Sequence, residues 1–130
     1  MSRVLAVDPG DVRLGLAISD PLQIVARPLQ VIEHRSRDRD AQAILEVAQE
    51  HQASLILIGV PYDQDGRIGP QARKSLRLIE RLQELGLVAV EPWDESGSTQ
   101  IAYQKNGNDS MLDAHAAAIF LQDYLDAQNR

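Results

Sequence analysis

The group in this chain best placed for chemistry is a carboxylate at the tip of an apolar run. Val4-Leu5-Ala6-Val7 ends on Asp8, turns through Pro9-Gly10, and returns as Arg13-Leu14-Gly15-Leu16-Ala17. Val and Leu bounded by Asp, Pro and Gly read as a strand that opens a hairpin. Buried neighbours would anchor Asp8, where its carboxylate could hold a metal ion or face a phosphate. Arg13, on the returning strand beside the turn, suits a phosphate contact, because a guanidinium donates in a fork that matches phosphate oxygens. Asp94-Glu95 follows a later apolar run, and Asp113 lies near the start of the last helical pattern.

The elements that must position these groups follow from periodicity. Residues 4–8 and 14–19 read as paired strands, and residues 24–33 as a third strand bent near Pro28. Ala41, Ile44, Leu45, Val47 and Ala48 recur at helical spacing, which predicts a helix over 38–51. Leu55-Ile56-Leu57-Ile58-Gly59-Val60-Pro61 is a continuous apolar run, the pattern of a strand buried on both faces. After a polar loop over 62–69, Pro70 suits the first turn of a helix that stops at Gly86. Residues 87–90 predict a fifth strand leading into Glu91-Pro92-Trp93-Asp94-Glu95. Residues 96–109 predict a mobile loop, and 111–127 a final helix.

The order β-β-β-α-β-α-β-α predicts an α/β fold within one domain, 1–130: a mixed five-stranded sheet with helices on both faces. In such sheets chemistry gathers at the carboxyl ends of parallel strands. Asp8, Gly59-Val60-Pro61 and Asp94-Glu95 close the first, fourth and fifth strands, so their tips should lie side by side.

Composition narrows the function classes. The chain has 130 residues, 44% of them apolar, enough to bury a core without staples. It has no cysteine, which removes disulfides, zinc-thiolate sites and thiol catalysis, and fits a reducing cytoplasm. Its start does not resemble a secretion signal and no run reaches transmembrane length, so a cytoplasmic protein with no membrane partner is expected. His34, His51 and His115 lack metal-ligand spacing. A formal net charge of −6 argues against coating nucleic acid by bulk electrostatics, but leaves room for a local basic face.

Asp8-Pro9-Gly10 with Arg13, Gly15 and Ser19-Asp20 resembles the opening of the YqgF/RuvX family of proposed pre-16S rRNA nucleases. These are relatives of Holliday-junction resolvases with an RNase H-like fold. The resemblance continues through Ile58-Gly59-Val60-Pro61, Asp65-Gly66, Gly69-Pro70-Gln71-Ala72, Asp94-Glu95 and Asp113-Ala114, in order over nearly the whole chain. It implies a Mg²⁺- or Mn²⁺-dependent nuclease acting on precursor rRNA, with Asp8, Asp94 and Asp113 as metal-binding catalytic carboxylates and Glu95 as a helper. Arg13 and Lys105 would contact the substrate. Phosphodiester hydrolysis needs an activated water and charge stabilisation on the leaving oxygen, and two divalent ions about 3.5–4 Å apart supply both. Mg²⁺ takes hard oxygen ligands and keeps several waters, so three or four carboxylates suffice.

One stretch departs from the family pattern. Asp-Glu-Arg-Leu-Thr-Thr is usual after the fifth strand, whereas this chain reads Asp94-Glu95-Ser96-Gly97-Ser98-Thr99, and Lys105 is the only base before Asp113. A binding module of the same fold with weakened or lost nuclease activity therefore stands as an alternative, as does a resolvase acting on branched DNA. A nucleotide-phosphate binder of the actin-like type would need a second domain to close its cleft. The expected assembly is a monomer or weak homodimer.

Plainer roles compete at several positions. Asp-Pro-Gly is ordinary turn chemistry, and Ser110-Met111-Leu112-Asp113 has capping-box spacing. Asp20, Asp63 and Asp65 read as turn residues. Arg73, Arg77 and Arg81 could track a phosphate backbone or form a solvated face neutralised by Glu80 and Glu84. Trp93 could stack a base or anchor its loop.

Overall fold

The computed structural model describes residues 2–63, 65–95 and 111–129. Their elements are β1 (Arg3–Pro9), β2 (Arg13–Ser19), β3 (Ala26–Glu33), α1 (Arg37–Glu50), β4 (Ala53–Val60), α2 (Pro70–Leu85), β5 (Ala89–Asp94) and α3 (Leu112–Gln128). The strands form one sheet ordered β3-β2-β1-β4-β5. β1, β2 and β3 make an antiparallel meander, while β1, β4 and β5 run parallel. The mixed five-stranded α/β architecture expected from the sequence is the one observed.

Alternation along the central strands sorts side chains onto two cores. Leu5, Val7, Leu16, Ile18, Ile56 and Ile58 face α1 and α2, where they meet Ile44, Leu45, Leu78, Ile79 and Leu82. Val4, Ala6, Ala17 and Leu57 face α3 and meet Ala117, Phe120, Leu121 and Leu125. The α3 face is the flatter one because its strands carry Ala and Gly, which lets a helix lie close. The Val- and Leu-rich character of β1 and β4 follows from burial on both sides.

Two features of the sheet have physical causes. The register between β2 and β3 shifts where Leu16 opposes Gln30 and Ala17 opposes Pro28, an irregularity at the expected bend. The fifth strand occupies Ala89–Asp94 rather than 87–90. Pro92 pairs with Ile58 inside the ladder. β5 is an edge strand, where a proline can turn its missing N–H side outward. That shift of register decides which carboxylate enters the site.

Candidate active site

Asp8 is the last acidic group of β1 and pairs with Gly15 across the hairpin. It shares its sheet face with Ala6 and Val4, so its carboxylate lies on the α3 side. Gly15 on β2 and Gly59 on β4 flank it there. A Cβ on Gly15 would run into the backbone of Asp113 and Ala114, and one on Gly59 would strike the Glu95 carboxylate and the Phe120 ring. These glycines leave room for the start of α3 and for the Glu95 side chain, as an isolated strand glycine often does.

Glu95 follows directly on β5, and its N–H donates to the Val60 carbonyl at 3.2 Å. Alternation carries Trp93 and Glu95 to the α3 face, where Trp93 packs on Tyr124 with ring centroids 5.5 Å apart. Glu95 is buried and hydrogen-bonded to Asp8. Asp94 pairs with Val60, which faces α1 and α2, so it leaves the strand on the other side of the sheet and is exposed. The structure therefore brings Glu95 to Asp8, while Asp94 diverges from it.

Asp113 approaches from the first turn of α3. The N-cap residue is Met111, which makes no side-chain capping bond, and Ser110 of the expected capping box lies outside the described residues. The Arg13 Nε donates to the Asp113 Oδ2 at 3.2 Å, joining β2 to α3 across the site. Asp113 also lies near enough to Asp8 for its charge to be felt. Lys105 and the 96–109 loop fall outside the described residues.

The electrostatics follow from this crowding. Burial, foremost, pushes the Asp8 carboxyl up from 3.8 to about 6; the Glu95 hydrogen bond opposes the rise and the Asp113 charge adds to it. Two carboxyl groups in a hydrogen bond need a proton between them. Negative charge in the site is thus balanced by that proton and by the Arg13 guanidinium. Among the described residues, no three acidic, histidine or cysteine side chains gather closely enough to hold an ion as they stand. The donor chemistry nevertheless suits Mg²⁺ or Mn²⁺: all hard oxygens, two already in contact and a third within electrostatic reach.

Other acidic residues have structural duties. Asp20 accepts backbone N–H bonds from Leu22, Ile24 and Val25, which holds its carboxyl below the usual range. Asp63 accepts from the backbone of Asp65 and Arg67. Arg81 is tied to Asp38 and Glu84, whereas Arg73 and Arg77 of the same stripe enter no ion pair among the described residues.

A mixed sheet with carboxylates at the parallel strand ends and a helix closing over them is the architecture of RNase H-like resolvases. RuvC of T. thermophilus, solved with a Holliday junction substrate, superposes with a TM-score of 0.60 at 20% identity, over 99% of this chain and 96% of that one. The Fowlpox virus resolvase, also solved with junction DNA, gives 0.59 at 14% identity, covering 98% and 99%. A family model described as "RuvX: Holliday junction resolvase" matches residues 2–127. A protein of Fusobacterium nucleatum named "Putative pre-16S rRNA nuclease" is 38% identical, covering 97% of this chain and 98% of its own. One of the same name from Desulforamulus reducens is 32% identical, covering 96% and 97%. The chain belongs to the RuvX (YqgF) family.

Proposed function

We propose that this chain is a divalent-metal-dependent nuclease that hydrolyses phosphodiester bonds in RNA, with precursor 16S rRNA as substrate. The observation that carries the reading is the contact of Asp8 with Glu95 on the α3 face at the carboxyl ends of β1 and β5, with Asp113 close enough for its charge to be felt. Asp8 and Asp113 keep the metal-binding roles expected of them, and Glu95 takes the place first read for Asp94. A bound Mg²⁺ or Mn²⁺ would activate water and stabilise charge on the leaving oxygen. Asp8, deprotonated, would be its central ligand, with Glu95 and Asp113 beside it. Arg13 turns from Asp113 to the substrate phosphate, which offers the same fork of oxygen acceptors. Gly15 and Gly59 leave the room in which the start of α3 and the Glu95 carboxylate come up beside Asp8.

The test is cleavage of a 5′-extended precursor 16S rRNA fragment in Mg²⁺ or Mn²⁺, with EDTA as the control. Asp8→Asn and Glu95→Gln should each abolish cleavage, whereas Asp94→Asn should retain it. A synthetic four-way DNA junction is the second substrate, because the matching family model is described as a Holliday junction resolvase. Cleavage of the junction alone would move the reading to branched DNA. RNA binding without cleavage in either metal would leave a binding module.

A further inference from the structure

The opposite side of the β1–β2 turn holds a cavity that the proposed chemistry does not use. It measures about 280 Å³ and lies between the turn, the first turn of α1 and the middle of α2. Three cationic side chains line it, Arg37, Lys74 and Arg77, together with the imidazole of His34, against two acidic ones, Asp11 and Asp40. A surplus of cations in one concavity contrasts with the formal net charge of −6 for the chain.

Both acids are already engaged. Asp11 accepts from the Lys74 Nζ at 2.7 Å and from the Gln71 Nε2 at 2.6 Å, which fastens the turn to α2. Buried Asp40 accepts from the Arg35 N–H at 2.9 Å and bonds the Nδ1 of His34 at 2.5 Å. That bond fixes the imidazole and leaves Nε2 as its other polar atom. Arg37 and Arg77 enter no ion pair among the described residues, so their charge is not spent inside the protein. Arg81, one turn further along α2, is held by Asp38 and Glu84. Of the regular arginine stripe, Arg77 is the member that opens onto a cavity.

We propose that this cavity is a second phosphate-binding subsite, which takes a phosphate of a polynucleotide strand carried over the β1–β2 turn. Pro9 and Gly10, which line it, directly follow Asp8. A strand engaged at Asp8 therefore needs only to cross the hairpin tip to reach it. Cationic donors that line a partly enclosed site suit a phosphate better than the same charges in open solvent. The strand assignment rests on the nuclease reading, whereas the phosphate chemistry of the cavity does not.

The test uses the full chain carrying Asp8→Asn, so that substrate survives, with backbone amides followed by NMR. Inorganic phosphate and a 5′-phosphorylated RNA tetranucleotide should each perturb the amides of Gly10, Asp11, Arg37 and Arg77. The tetranucleotide should bind at least about tenfold tighter than 5′-AMP, because a strand makes contacts beyond one phosphate. Arg37→Ala and Arg77→Ala should each weaken tetranucleotide binding about tenfold and flatten its log–log salt slope by about 0.7. Unchanged folding is checked by the remaining amide shifts, and Arg77→Lys should restore part of the binding. Binding of 5′-AMP as tightly as the tetranucleotide would overturn the strand assignment. Silent cavity amides, or arginine variants that bind like the parent, would overturn the subsite itself. Failure of the nuclease reading appears separately, as wild-type protein that binds through the cavity and cleaves nothing.

Discussion

Replacing Asp8 by Asn should make the metal-free protein more stable at neutral pH. A carboxyl held at about 6 in the fold and at 3.8 in the unfolded chain binds its proton more tightly when folded. Its stabilising contribution is fully present below 3.8 and is lost as pH rises through 6. Above that window the folded state carries the cost of a buried charge near Glu95 and Asp113, at most ~3 kcal/mol for a displacement of this size. Asn has nearly the same shape and no charge, and its amide can donate to Glu95, so the hydrogen bond survives. In EDTA at about pH 8, the variant should therefore exceed the wild type by up to ~3 kcal/mol in urea melts, with an unchanged m-value. Below about pH 3 the two should nearly coincide, because Asp8 is then protonated in both folded and unfolded wild-type chains. Millimolar Mg²⁺ should stabilise the wild type more than the variant, by mass action on the folded state. A variant less stable than wild type at pH 8 would refute the assignment of a strained, buried carboxyl to Asp8.

The other expectations are more local. Gly15→Ala should cost about 3 kcal/mol, read by thermal melting, because its methyl group meets the backbone of α3 rather than a flexible side chain. Gly59→Ala should cost less in stability but abolish cleavage, since the group it displaces is the Glu95 carboxylate. Arg13→Ala should change stability by under ~1 kcal/mol, as its pair with Asp113 is largely solvent-exposed, yet raise the KM for RNA about tenfold. Mg²⁺ affinity should rise with pH and level off above about 6, because the metal must displace the proton of Asp8 below that value, as read by calorimetric titration.

The parts of this fold that could be read from residues alone were those with a single physical explanation. An apolar run closed by Asp-Pro-Gly could only be a strand entering a turn, and Pro70 and Gly86 bracket α2 as expected. The strand order followed because two parallel crossovers leave few places for β4 and β5. Asp113 was ambiguous, since capping and site roles share the same spacing, and its contact with Arg13, on a strand a hundred residues away in sequence, could not be read from that spacing. The basic cavity was not legible at all. It joins a turn, a β3–α1 connection and α2, and no sequence window contains those residues together.

The choice between Asp94 and Glu95 shows most clearly how a site depends on register. The two are adjacent and both acidic, and a strand that stopped at Val90 would give no reason to prefer either. Once the strand runs to Asp94 the choice is forced, because neighbouring residues face opposite sides. Val90 looks toward α1 and α2, so Asp94 does too, and Trp93 and Glu95 look toward α3. The same parity places Asp8 with Ala6, and Gly59 with Leu57, on the α3 side. Trp93 against Tyr124 sets the end of the edge strand, and Gly59 leaves the space into which Glu95 turns. An aromatic residue that packs and a glycine that stays out of the way thus decide which carboxylate meets Asp8. Neither carries any chemistry of its own.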